Sequence, residues 1–143
     1  MEVASVKSKG AELTEDLTLG IAEMDRTHDD FLILLGNAKA ADGKQFLEAF
    51  SLLIEHTEAH FSMEEEIMRS HAFYGMQEHA DEHLNLLNEM RYFYDKARKL
   101  PAFGRSYIDD YAFEKFRRHI INIDSQLAMF LKSIPTETEV QHA

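Results

Sequence analysis

Seven residues of this chain are of the types that bind transition metals: His28, His60, Glu64, His79, His83, His119 and Asp124. His60 and Glu64 stand four apart, as do His79 and His83, so on helices each pair lies one turn apart on a single face. Asp124 follows His119 by five residues, about 140° further round at the ordinary helical step of about 100°. It joins the same site either by bridging from the side or through a local distortion of its helix. Imidazole nitrogen combined with carboxylate oxygen suits iron, zinc, manganese or cobalt. Seven such ligands are too many for one first-row ion and natural for two. The chain has no cysteine, which excludes thiolate ligation, disulfides and ordinary iron–sulfur clusters. None of these five histidines has a glutamate three residues before it, so the Glu-x-x-His pattern of ferritin-like carboxylate sites is weakly supported.

Such a constellation needs elements to position it, and the sequence reads as four helices. Proline occurs only at Pro101 and Pro135, and long stretches rich in Ala, Leu, Glu, Met, Phe and Lys separate the few glycines. Apolar periodicity predicts a first helix from about Gly20 to Lys39, with Met24, Thr27, His28, Phe31, Leu34 and Leu35 inward. A second runs from Lys44 to Arg69, with Phe46, Phe50, Leu53, Thr57, His60, Glu64 and Met68 inward. A third spans Met76 to Lys99, its stripe Met76, His79, His83, Leu86, Met90 and Phe93. A fourth covers Arg105 to Lys132, with Ala112, Phe116, His119, Ile123, Leu127 and Phe130 inward. Pro101 is the sharpest signal in the break at 100–104. Short links between long helices make antiparallel neighbours, hence an all-α, up-down-up-down four-helix bundle over residues 13–134. Residues 1–12 and 135–143 are expected to be flexible termini. Each inward stripe is interrupted near its middle by metal-ligand residues. Burying that many polar groups unpaired costs on the order of several kcal/mol, and a shared metal removes the problem at once.

The bulk properties narrow the partners. At 143 residues the chain fits one domain that buries a real core. The net charge is −11; residues 1–90 carry 19 acidic and 6 basic side chains and residues 91–143 carry 7 and 9. An acidic surface repels phosphate backbones, which argues against nucleic acid. No apolar run is long enough for a membrane span, the first residues lack a signal-like apolar stretch, and the cytoplasm is the expected location.

Read in order, these segments resemble the hemerythrins, particularly their single-domain bacterial members, over roughly Asp16 to Phe130. Leu19-Gly20-Ile21 with Met24-Asp25-Arg26-Thr27-His28 is similar to the family's first ligand segment. The stretch from His60 to Met68 matches HFxxEExxM, His79 to His83 matches HxxxH, and His119 to Asp124 matches HxxxxD, the five-residue spacing included. The resemblance implies two non-heme iron ions joined by an oxo or hydroxo bridge, with dioxygen as reversible ligand. It assigns His79, His83 and His119 to one iron, His28 and His60 to the other, and Glu64 and Asp124 to both. The open position then falls on the iron held by His28 and His60. Phe31, Phe61, Met24, Leu86, Ile120 and Ile123 are the apolar neighbours available to line a ligand pocket or fill the core.

The chain departs from the family at two positions that commonly hold tryptophan: Leu13 and Lys115 stand there, and there is no tryptophan at all. A looser pocket would suit peroxidase, oxidase or nitric-oxide chemistry at the same iron, with an electron donor as a further partner, so an enzyme is the alternative to an oxygen-binding protein for storage, delivery or sensing. A scaffold bundle without metal is a third reading. A monomer or small homo-oligomer is expected. His56, one turn before His60, reads as a structural or half-exposed histidine with a supporting role or alternative ligation also open. His71 and His142 read as solvated, and Glu65, Glu66, Glu78 and Glu82 as surface charge. Arg91, Lys96, Arg98, Lys99 and Arg105 read as a solvated basic patch, and Tyr92, Tyr94, Tyr107 and Tyr111 as boundary packing.

Overall fold

The computed structural model describes residues 17–134. The termini 1–12 and 135–143, with His142, lie outside the described residues, as do residues 13–16 of the expected bundle and with them Leu13. Helix α1 spans Ala22–Ala40, α2 Gly43–Ser70 and α3 Met76–Lys99. Helix α4 runs without interruption over residues 101–133. The links are two residues, five residues and Leu100 alone, too short for anything but antiparallel neighbours. Successive helices pack on one another and α1 also packs on α4, closing an all-α four-helix bundle with no strand among the described residues.

Two boundaries differ from the sequence reading by more than one residue, for local reasons. Helix α1 begins at Ala22 rather than Gly20. Gly20 holds φ +86°, and a Cβ there would come 2.7 Å from Lys132 Nζ. Asp25 accepts the backbone N–H groups of Leu19 at 2.8 Å and Gly20 at 3.0 Å, so a first-turn carboxylate fixes the chain's entry into the helix. Helix α4 begins at Pro101 rather than Arg105. Proline at the first helical position has a suitable φ and lacks only an N–H that would have had no partner. Gly104 is therefore not a breaker: it lies buried inside the helix, where a Cβ would run into that of Ala97 on α3. Arg105 leaves the solvated patch as well. It donates to the carbonyls of Ala38 and Lys39 at the end of α1 and of Ala41 just after it, and lies 4.1 Å from the centre of the Phe46 ring.

Helix α4 is not uniform. Its α-helical stretches Pro101–Ser106, Ala112–His119 and Ser125–Ser133 are separated by π-helical turns at Tyr107–Tyr111 and Ile120–Asp124. The N–H of Ala112 donates to the carbonyl of Tyr107 and that of Ser125 to Ile120, each five residues back.

The core divides into two apolar clusters. The larger contains Phe31, Leu35, Phe46, Phe50, Leu53, Met90 and Tyr107. The smaller contains Met24, Met68, Phe73, Leu127 and Ala128. Tyr107 is accordingly core, parallel to Phe50 and Phe93, and not boundary packing. On each helix the metal-type residues fall between contributions to these two clusters, so the bundle carries a polar layer within its apolar length.

Candidate metal centre

All seven sequence-selected residues meet in that polar layer. None is more than 4% exposed, and Glu64 and Asp124 have no exposure at all. Each helix delivers its share through its stripe: His28 from α1, His60 and Glu64 from α2, His79 and His83 from α3, His119 and Asp124 from α4. The five-residue spacing is met by the π turn at Ile120–Asp124, which inserts the extra residue between His119 and Asp124 and brings both to one face. Of the two possibilities the sequence left open, the distorted helix is the one that occurs. His119 Nε2 lies 3.0 Å from Asp124 Oδ1.

The donor atoms fall into two overlapping groups, each within 4.8 Å of one another: Glu64, His79, His83, His119 and Asp124 in one, and His28, His60, Glu64 and Asp124 in the other. The carboxylates are common to both. Glu64 Oε2 is 2.7 Å from His60 Nε2, while its Oε1 is 3.1 Å from both His79 and His83 Nε2. Asp124 Oδ2 is 2.9 Å from His28 Nε2, while its Oδ1 is 2.9 Å from His79 Nε2.

Hydrogen bonding accounts for only part of this arrangement: His28 is within hydrogen-bonding distance of Asp124, and His60, His79 and His83 of Glu64. The 3.0 Å approach of His119 Nε2 to Asp124 Oδ1 lacks hydrogen-bond geometry, and both atoms are buried without a hydrogen-bonding partner. On α3, Glu65 Oε2 lies 2.9 Å from His83 Nδ1. A neutral His83 that donates Nδ1–H to Glu65 turns the lone pair of Nε2 toward Glu64 Oε1, two acceptors 3.1 Å apart. Such a pair is repulsive unless a cation lies between. The donor set therefore fits a metal.

The electrostatics agree. Burial favours a neutral Asp124, but the charge of His119 and the close approach of the His119, His28 and His79 ring nitrogens hold its carboxyl well below the usual range. Burial and the Asp124 charge push Glu64 up, and hydrogen bonds from His60, His79 and His83 outweigh them and hold it low. Burial pulls His79 down, but the Asp124 and Glu64 carboxylates against its ring raise it to about 9. Two buried carboxylates keep their charge only beside positive charge, which protons on histidine or a metal ion can supply.

This is the pattern that decides the relationship: four ligand segments, in sequence order, meeting in one layer of a four-helix bundle. Residues 19–131 match the family model described as the Hemerythrin HHE cation binding domain. The chain belongs to the hemerythrin family. It is similar to a bacteriohemerythrin of Ralstonia nicotianae, 31% identical over 119 residues that cover 82% of this chain and 86% of that protein. No solved structure gives a significant match.

Around this hemerythrin-type cluster, aromatic rings restrict motion. Phe61 stacks on His83 at 3.8 Å, and Phe31 stacks at 3.8 Å on Phe116, whose edge meets His28. His56 Nε2 lies 3.1 Å from the backbone oxygen of Thr27, next to His28 in sequence, and this bond ties α2 to α1. Glu65 is the residue sequence reasoning misassigned. It is not merely surface charge: its side chain is 31% exposed and orients His83. A carboxylate adjacent in sequence to a candidate ligand was the available signal. Of the apolar candidates, Phe31, Phe61 and Leu86 line a cavity that ends on His60 and His119. Met24 belongs to the smaller apolar cluster and Ile120 to the larger.

Proposed function

We propose that this chain binds dioxygen reversibly at a non-heme diiron centre, for storage, delivery or sensing in the cytoplasm. In this reading His79, His83 and His119 hold one iron and His28 and His60 the other, with Glu64 and Asp124 shared. The observation that carries it is the unequal grouping of donors around two common carboxylates. Two irons so held would supply the two electrons and the open position that reversible dioxygen binding needs. The protein's own contribution is to fix the rings and keep water out. Phe61 against His83, and Phe31 with Phe116 beside His28, replace solvent with apolar surface. The shared carboxylates stay charged because histidines surround them, so they do not bring protons to the site. The small apolar cavity lined by His60 and His119 borders both groups of donors and suits a neutral diatomic ligand.

The test is an anaerobic titration of the reduced, iron-loaded protein with dioxygen. A visible charge-transfer band is expected to appear and to vanish on deoxygenation through repeated cycles. Bleaching in the first cycle contradicts a carrier, and steady turnover of peroxide or nitric oxide would move the reading to a diiron enzyme.

A further inference from the structure

The cavity above the cluster holds about 20 Å³, close to the room one small molecule needs. Its walls are mainly apolar, with Phe31, Phe61, Met90 and Phe116 buried, and His60 and His119 lie at its inner end. Among its lining residues only Leu86 and Lys115 are not buried, so the route to solvent passes these two. Lys115 projects from α4 and places Nζ 2.9 Å from Glu89 Oε2 on α3, one turn beyond Leu86. The ion pair thus crosses the gap between two helices where the cavity meets solvent.

We propose that the Lys115–Glu89 ion pair is a gate over this cavity, and that its opening limits how fast a small apolar molecule passes between solvent and the inner end at His60 and His119. The pair has the properties a gate requires. Its side chains are 41% and 28% exposed, a range in which ion pairs contribute little and break readily. Glu89 Oε1 is buried without a hydrogen-bonding partner, so the carboxylate gains hydrogen bonds from water when it swings out. The lysine stem covers the opening while its ammonium is held and uncovers it when released, which a fixed aromatic ring at this position cannot do. That the inner end is a ligand position of a metal rests on the function proposed above; the gate over the cavity does not.

The test compares the full-length, iron-loaded protein with Glu89→Gln and Lys115→Ala. Crystals are held under xenon pressure for increasing times before freezing. Both variants are expected to show several-fold higher xenon occupancy in the cavity at the shortest exposure and to converge with the unaltered protein at the longest. In solution, nitric oxide, a neutral diatomic, is mixed with the ferrous protein. Its binding rate is expected to rise with ionic strength in the unaltered protein, as salt weakens the pair, and to be fast and salt-independent in Glu89→Gln. Equal xenon filling in all three proteins, or no change in the nitric oxide rate, overturns the gate. Nitric oxide binding to none of them, with the xenon order as expected, overturns the metal reading and supports the gate.

Discussion

The two sides of the buried cluster are supported differently. On the three-histidine side, His83 is stacked against Phe61 and held at Nδ1 by Glu65, and α3 presents His79 from the same face. On the two-histidine side, His28 meets the edge of the Phe116 ring and His60 lines the cavity, which His119 of the other side also lines; Nδ1 is unpartnered in His28, as it is in His79 and His119. The difference between the halves is the brace on His83, while both border the cavity, one through His60 and the other through His119. The carboxylates common to both halves make them interdependent.

The largest effect is expected where the halves join. Glu64→Ala removes a donor from both groups and one negative charge from between two cations, so iron content should fall to near zero per chain. Any rise in melting temperature that metal gives the unaltered protein should vanish with it. Deleting Asn122 is the next most severe change. It shortens the spacing to i,i+4 and removes the need for the π turn, so far-ultraviolet circular dichroism should stay helical while paired metal binding is lost.

The halves should separate under His28→Ala. That side then keeps only His60, and iron should drop to about half, with a mononuclear remnant at His79, His83 and His119. Glu65→Gln acts on the opposite side alone. Weaker orientation of His83 should lower metal affinity by about 10–100-fold, read as faster iron loss to a chelator. His56→Ala should change least, keeping near-full iron with a small loss of stability from the missing bond to Thr27. Loss of an iron in this variant, with both irons kept in His28→Ala, would make His56 a ligand and the assignment of the halves wrong.

Much of this was legible in the sequence because helical arithmetic carries it. The pairs His60–Glu64 and His79–His83 sit where a step of about 100° puts them, and α3 begins and ends at the expected residues. What was not legible depends on contacts between helices. Nothing local says that Gly104 faces Ala97, that Arg105 reaches the end of α1, or that Glu65 turns toward α3. Pro101 is ambiguous by nature, since the same residue breaks a helix interior and starts a new helix. The i,i+5 spacing of Asp124 signalled a distortion, but whether the helix or the side chain would yield is decided by packing around His119.

The most direct measurement is elemental analysis of the full-length protein produced with iron available, paired with its melting temperature before and after chelation. About two irons per chain and a clear fall in melting temperature on chelation are expected for a bundle whose polar layer holds two ions. Metal below about 0.2 per chain, with melting unchanged by chelator, would contradict the diiron centre and leave the seven buried residues as a hydrogen-bonded layer of a bundle without metal.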